Sequence, residues 1–330
     1  MLETSVDHFH LEQWTWAAER GGMNRYPSQR IPRTADDSPR GCTPRLYFKD
    51  SALAKHLLKK CRLLSRPFSP PLWLRNRHVQ TILPVLLPTP LVEFDREYIL
   101  MKDKGVVALD WFVRIKSNRR KRLVFLIVIP GMTDSTLDVA NVCKLGAKKG
   151  FRPLVFNFRG HGKTVLTTPK LQSYGDPSDL RQIIKYIKER YPKGIISAVG
   201  YGTGCDLLLS YLGEYGSSAS ISGAVCISPC YDVTDRFTKT VDGLYDFFYM
   251  LRLKNILCCH SKSLSKNIDL SRAIQTWSFQ EYYQSVYSKL YGFSDMEEFW
   301  DRNNPLRDVD DISVPVMFIN SLDDPFYSKK

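Results

Sequence analysis

The stretch AVGYGTGCDLL, residues 198–208, places three glycines at every second position between an apolar strand pattern and an apolar helix pattern. Glycine adopts backbone dihedrals that other residues rarely reach, so this spacing predicts a sharp strand-to-helix turn. One large class of enzymes carries a nucleophilic serine on such a turn, in the pattern G-x-S-x-G. Here residues 200–204 read G-Y-G-T-G, with Gly202 at the serine position.

Continuous apolar strands alternate with helix patterns through most of the remaining chain. A hairpin is predicted at 94–101 and 106–113, and buried strands follow at 123–130, 152–159, 195–200, 222–229 and 314–321. The clearest helix pattern begins at Pro177, after Asp176 as its N-cap. This alternation predicts an α/β fold with a mainly parallel sheet that helices cover on both faces.

The composition divides the chain into three parts. Residues 1–50 are polar and rich in Arg, Pro and Ser, which predicts a disordered arm. Residues 51–93 hold a short helix and a proline- and aromatic-rich wrap, and the wrap at 66–84 is expected to form no regular element. Residues 94–330 form the α/β domain, and an aromatic-rich helical stretch at 231–300 has the place and size of a cap over the sheet.

The formal net charge of the chain is +13, which suits peripheral contact with an anionic membrane surface. The basic residues are scattered, and the cluster at 116–122 lies between two strand patterns, so it is interpreted as a solvated loop. Nucleic acid is not an expected partner, because no motif accompanies the charge.

The eight cysteines have no metal-ligand spacing, and neither do the histidines. We therefore expect neither a metal nor another cofactor. No apolar run approaches the roughly 18 residues of a membrane-spanning helix, and the N-terminus lacks the basic start and apolar middle of a signal peptide. These features predict a cytoplasmic or membrane-associated protein.

Several segments, in order along residues 51–330, resemble the YheT-like branch of the α/β-hydrolases, the AB hydrolase 4 family. They include PFSPPLWLRNRHVQTILP, VIPGMT, LVFNFRGHGKT, WDRNNPLRDV and INSLDDPF. Within this family, GDPSDL, LLLSYLGEYGSS and ISGAVCISP most resemble the abhydrolase-domain-containing protein 15 subgroup. The resemblance implies an α/β-hydrolase fold with a helical cap insertion.

Family members that work as esterases or lipases use a Ser-Asp-His triad with an oxyanion hole of backbone N–H groups. The resemblance puts Gly202 at the nucleophile position and gives the oxyanion donors as the N–H groups of Thr203 and Met132. It gives Asp324 as the triad acid, with Asp323 the less favoured choice.

The triad histidine has no counterpart. The family places it after the acid, where only residues 325–330 remain. We therefore expect the last strand and helix of the fold to be missing, as in an incomplete gene model or a short splice form.

Two residues beside the turn are weighed as substitutes for the serine. One step along such a turn points the side chain of Thr203 away from the cleft, and capping the helix that begins at Gly204 is its favoured role. Cys205 lies in the first turn of that helix, where the dipole can lower the pKa of a thiol. A small residue packed against the sheet is the favoured interpretation of Cys205.

Three further residues are candidates for the binding pocket, and a fourth, Arg159, shapes the loop beside it. His161 follows a strand on the active-site side of the sheet and is expected to line the pocket, although no acid partner for it is evident. Gly131 and Tyr201 flank the expected oxyanion hole and the turn. Arg159, in the same loop as His161, is able to hold a carboxylate.

Two functions remain from the sequence. The favoured one is a catalytically impaired hydrolase fold that binds a lipid or ester-like molecule, a protein partner, or both. The alternative is an active carboxylesterase or acylglycerol lipase that hydrolyses short-chain or lipid esters, as the family resemblance alone implies. Gly202 favours the first function.

Overall fold

The computed structural model describes residues 44–86, 92–113, 123–231, 243–321 and 324. Residues 1–43 of the arm expected over 1–50, the loop at 116–122 and the start of the cap at 232–242 lie outside the described residues, as does Asp323. Residues 44–50 of the arm form no helix or strand. None of the helices in the described part of the chain is long and apolar enough to cross a membrane.

The chain divides into two compact units, the first comprising Met1–Leu87 with Pro315–Phe318 and the second Pro88–Val314 with Ile319–Lys330. In the first unit, helix α1 spans Ala52–Lys60, and Ser51 caps it by accepting a hydrogen bond from the Ala54 N–H at 3.0 Å. Two 3₁₀ turns follow, at Arg62–Ser65 and Leu72–Leu74.

The second helix of this unit, α2, spans Arg77–Leu86. The prediction of no regular element at 66–84 is therefore wrong from Arg77 onward. Asn76 Oδ1 accepts a hydrogen bond from the His78 N–H at 2.8 Å, which satisfies one of the free donors at the helix start. Pro84 lies in the last turn, where it removes one intrahelical donor without preventing the helix from starting.

The described residues form a seven-stranded sheet in the order β1-β2-β4-β3-β5-β6-β7. The strands are β1 Phe94–Leu100, β2 Val106–Phe112, β3 Val124–Ile129, β4 Arg152–Phe156, β5 Ile195–Tyr201, β6 Ala224–Ile227 and β7 Val316–Ile319. Strand β2 pairs antiparallel with β1 and β4, while β3 pairs parallel with β4 and β5, and β5 parallel with β6. The hairpin and the mainly parallel sheet expected from the sequence are confirmed.

Helices α3 (Ala140–Lys148), α4 (Ser178–Arg190) and α5 (Thr203–Tyr215) connect these strands. Helix α4 begins one residue later than the sequence indicated, and Asp176 Oδ1 accepts a hydrogen bond from the Ser178 N–H at 3.1 Å. Its apolar stripe is buried, as expected from the spacing of Leu180, Ile183, Ile184 and Ile187.

Residues 243–303, called the cap here, form a run of helices between β6 and β7. They are α6 Gly243–Cys259, α7 Ser261–Leu264, α8 Leu270–Gln275, α9 Phe279–Tyr283, α10 Lys289–Tyr291 and α11 Met296–Asn303, with a π-helical turn at Gln284–Ser288. Their inward side chains share one apolar cluster with Met132, which includes Met250, Leu253, Tyr282, Tyr283, Tyr287 and Phe299.

A buried carboxylate ties the hairpin to the loop after β4. Asp110 of β2 faces Arg96 of β1, which donates hydrogen bonds to both carboxylate oxygens at 2.6 and 2.7 Å. The Thr136 hydroxyl and Asn157 Nδ2 donate to the same carboxylate, the latter at 2.9 Å. Arg96 also donates to the Gly162 carbonyl at 2.7 Å. The Arg96–Asp110 ion pair therefore contacts both the β1–β2 hairpin and the loop after β4.

Arg159 supplies a second anchor in this loop. Its guanidinium donates to Asp179 at 2.8 and 2.6 Å and to Asp103 at 2.5 Å, with the side chain only 2% exposed. A Cβ atom at Gly105 would lie 2.2 Å from the guanidinium, which explains glycine there. The expectation that Arg159 holds a carboxylate is confirmed.

Substituting Asp110→Asn should lower the free energy of unfolding by about 2 kcal/mol at neutral pH, because Arg96 loses a charged hydrogen-bond acceptor. Burial raises the pKa of Asp110, but hydrogen bonds from Arg96, Thr136 and Asn157 outweigh it, so the pKa lies below its ordinary value. A lowered folded-state pKa means that this stabilisation is present above the unfolded pKa of about 4 and is lost as pH falls through the folded-state value.

Urea unfolding of the wild type and the variant at neutral and acidic pH measures both effects. The difference between the two proteins should shrink in acid. Glu189→Gln is the control, because Glu189 forms an exposed pair with Lys185 at 3.7 Å, and its loss should change stability by less than about 0.5 kcal/mol. Equal losses for the two variants would contradict this account of Asp110.

Candidate active site

The three glycines of the turn serve different purposes. A Cβ atom at Gly204 would lie 2.2 Å from the Ile129 carbonyl oxygen, and one at Gly200 would lie 2.7 Å from Cys205 Cα. Gly200 and Gly204 therefore let β5 and α5 pack closely against their neighbours. A Cβ atom at Gly202 would meet no atom within 4 Å, so there is room for a side chain at this position.

Gly202 lies between the last residue of β5 and the first residue of α5, with φ +50° and ψ −119°. These dihedrals fall in a region that L-amino acids rarely adopt. The sharp turn persists although its central residue carries no side chain, because the Gly202 N–H donates to the Ile227 carbonyl at 3.0 Å and its own carbonyl accepts from the Cys205 N–H at 3.0 Å.

Thr203 is buried, and its hydroxyl oxygen accepts a hydrogen bond from the Met132 N–H at 2.6 Å. The expectation that its side chain caps the helix after Gly204 is wrong: Thr203 is itself the first residue of α5, and its hydroxyl contacts the loop after β3. Sequence spacing gave no signal for this contact, which joins residues far apart in the chain.

The other side of this bond is the turn that follows β3. The Gly131 N–H donates to Asp134 Oδ2 at 3.0 Å, and the Met132 N–H is engaged by Thr203. Met132 itself is buried. The family resemblance gives the Met132 N–H as a donor to an oxyanion. In this structure that N–H already has a partner, the Thr203 hydroxyl.

Aromatic side chains of the cap cover Met132. The hydroxyls of Tyr287 and Tyr283 lie 3.2 and 3.9 Å from its sulfur, and the two rings stack with their centroids 5.0 Å apart. Phe299 and Trp300 extend the same aromatic cluster. The turn after β3 thus packs against aromatic side chains of the cap. The sequence indicated an aromatic-rich cap but not its contact with this turn.

Cys205 does not offer a reactive thiolate. It is buried, and its thiol donates to the Ile227 carbonyl at 3.2 Å. Burial, together with the neighbouring Cys226, raises the pKa of Cys205 well above its usual range. This confirms the interpretation of Cys205 as a small residue packed against the sheet.

His161 is buried in the loop after β4. Its Nδ1 lies 2.9 Å from the Arg159 carbonyl oxygen, so Nδ1 carries the proton in the neutral ring. Burial lowers the pKa of His161 to about 4. The cap closes over this loop, with His260 Nε2 2.6 Å from the Gly160 carbonyl oxygen. His161 is therefore a neutral, enclosed imidazole at physiological pH.

The remaining candidates lie at the ends of two strands. Tyr201 ends β5 and is half-buried, and burial raises its pKa to about 12. Asp324 follows β7 and is half-buried. The contacts described above bring Thr203, Met132 and the cap aromatics together; the roles of Tyr201 and Asp324 stay predictions.

Comparison with known proteins is consistent with this geometry. A model of the Hydrolase_4 family, described as serine aminopeptidase, S33, matches residues 120–329. The chain belongs to the Hydrolase_4 family. The matched range contains the turn at Gly202, the Met132 loop and the whole cap.

Three curated proteins are similar in sequence to this chain. Human Protein ABHD15 is 36% identical over 318 residues, covering 93% of this chain and 67% of that protein. Bovine Phospholipase ABHD3 is 25% identical over 293 residues, covering 86% and 71%. Mouse Monoacylglycerol lipase ABHD2 is 27% identical over 308 residues, covering 86% and 72%.

Substituting Gly202→Ala should lower the free energy of unfolding by only about 1–3 kcal/mol, which is the cost of holding an L-residue in a sparsely populated backbone region. Gly204→Ala is the matched comparison, because its Cβ meets backbone atoms that cannot move aside. We expect that variant to lose more than about 4 kcal/mol or to fail to fold. Urea unfolding of both variants checks this, and a larger loss for Gly202→Ala would contradict the open space at the turn.

Proposed function

We propose that this chain is a catalytically impaired member of the Hydrolase_4 family that binds a lipid or ester-like molecule without hydrolysing it. One observation carries the proposal: Gly202 occupies the turn where a nucleophile would stand, while the Met132 N–H beside it donates to Thr203 Oγ1. The nucleophile and one oxyanion donor are thereby both withdrawn from catalysis.

The expected loss of reaction rate from these two changes supports a site without measurable hydrolysis. Without members of the triad, binding and the oxyanion hole leave about 10³–10⁴-fold acceleration over water. Removing a single oxyanion donor costs a further factor of about 10²–10³. A chain that lacks the nucleophile and has one donor engaged is therefore expected to retain little of the rate of an intact hydrolase.

A lipid-like ligand is supported by the surroundings of the turn and by two relatives. The aromatic rings of the cap next to Met132 are apolar apart from the hydroxyls of Tyr283 and Tyr287, and such surroundings suit an apolar ligand. The names Phospholipase ABHD3 and Monoacylglycerol lipase ABHD2 describe relatives that act on lipids. A protein partner is the second type of molecule that the same scaffold would bind.

An active carboxylesterase or acylglycerol lipase remains the second candidate, favoured by membership of a family with lipase relatives. It requires a nucleophile other than residue 202. Thr203 is buried with its hydroxyl engaged by Met132, and Cys205 is buried with a raised pKa. Neither side chain is therefore suited to act as the nucleophile that this function requires.

We expect the purified wild-type chain to hydrolyse neither a 4-nitrophenyl ester nor a monoacylglycerol above the rate without enzyme. Gly202→Ser should hydrolyse these esters at least about 10²-fold more slowly than an intact hydrolase, because the Met132 N–H still donates to Thr203 Oγ1 and is not available to an oxyanion. Product release measured by absorbance and by chromatography of the fatty acid checks both proteins.

Monoacylglycerol lipase ABHD2 assayed in parallel serves as the positive control. Turnover by the wild type would contradict the proposed function. Turnover by Gly202→Ser alone at the rate of the positive control would instead show that the oxyanion donors are accessible, and would leave the loss of the nucleophile as the sole defect.

A further inference from the structure

Helix α6 of the cap has two apolar faces. One is buried in the cap cluster and includes Met250, Leu253 and Leu257. The opposite face carries large apolar side chains spaced i, i+3, i+4 and i+7, which are Leu244, Phe247, Phe248 and Leu251, exposed by 56, 44, 56 and 40%. Packing within the cap accounts for the first face and leaves the second in contact with solvent.

Trp277 extends this exposed stripe beyond α6. It is 54% exposed, and its ring stacks on Phe247 with centroids 5.1 Å apart and planes within 5°. Ile274 of α8 is also exposed. We call the exposed residues of α6 together with Ile274 and Trp277 the α6 face. Contiguous exposed apolar surfaces of this kind mark binding sites in soluble proteins.

A buried cation fixes Trp277 from within. Lys254 Nζ lies 3.3 Å from the centroid of the Trp277 ring, while Lys254 is only 7% exposed. Its ammonium has no hydrogen-bond partner among the described residues, so the ring face is the group that faces the charge. The indole is thus held in place, although more than half of it meets solvent.

The surroundings of the α6 face are positively charged. Residues 243–277 contain five basic and two acidic side chains, and all of the basic ones except the buried Lys254 are exposed, in a chain of formal charge +13. Arg252 and Arg272 are exposed, the first next to Leu251 on α6 and the second two positions before Ile274 on α8. Arg252 also lies 3.9 Å from Asp134, so its charge is partly compensated. A second copy of this chain would bring the same positive charges against them, which disfavours self-association through this face.

We propose that the α6 face binds the surface of an anionic phospholipid membrane. Trp and Phe side chains favour the headgroup level of a bilayer, and an amphipathic helix with basic neighbours lies in that interface. Arginine and lysine near the surface add attraction to anionic lipid. This proposal goes beyond the proposed function, because it concerns the outside of the cap and does not depend on the state of Gly202.

Flotation of the full chain with vesicles tests it. Vesicles of phosphatidylcholine with about 30 mol% phosphatidylserine should carry the wild type upward in a density gradient, and pure phosphatidylcholine should carry less. Phe247→Ser/Phe248→Ser should raise the lipid concentration for half-maximal binding at least about tenfold. Arg252→Glu/Arg272→Glu should weaken binding to the phosphatidylserine vesicles alone.

Two further variants keep the test decisive. Tyr98→Ser/Leu100→Ser removes exposed apolar side chains from β1 and should leave binding unchanged. Phe248→Ser/Leu251→Ser leaves the stack of Phe247 on Trp277 intact and should also weaken binding. It replaces Phe247→Ser/Phe248→Ser if that variant is unstable in thermal unfolding.

Three results would overturn the proposal. The first is a wild type that does not float with phosphatidylserine vesicles. The second is flotation that survives the substitutions on the α6 face. The third is a dimer in light scattering that Phe247→Ser/Phe248→Ser converts to a monomer, which would make a second copy the occupant of this face.

Discussion

The hydrogen bond from the Met132 N–H to Thr203 Oγ1 determines what the turn at Gly202 can do. It exists because the β3–β5 register pairs Ile129 with Gly200, and Met132 and Thr203 each lie three positions beyond that pair. In a hydrolase, an N–H at this place would stabilise the developing oxyanion. Here that N–H already donates to the hydroxyl oxygen of Thr203.

The turn keeps its shape with glycine at position 202 because it depends on packing. Gly200 and Gly204 allow the close approach of β5, α5 and the end of β3, whatever residue stands between them. The ion pair of Arg96 with Asp110 and the Arg159 anchor hold the neighbouring loop independently of the turn. The proposed function requires a scaffold that persists without a side chain at the centre of the turn, and this packing is compatible with that requirement.

The sequence was sufficient for features that depend on local patterns. Alternating strands and helices indicated the sheet, and the glycine spacing indicated the turn at Gly202. Long-range contacts were not readable: the Thr203–Met132 bond spans 71 positions, and its geometry follows from strand register. Helix α2 was missed because the prolines of its segment outweighed the cap at Asn76.

Reaction of the purified wild type with a fluorophosphonate, read as intact mass, tests the central claim most directly. The account predicts an unmodified mass, because Gly202 has no side chain to react and neither Thr203 nor Cys205 is activated. A stoichiometric adduct that disappears in Thr203→Ala or in Cys205→Ala would show that the turn has a working nucleophile and would contradict the account.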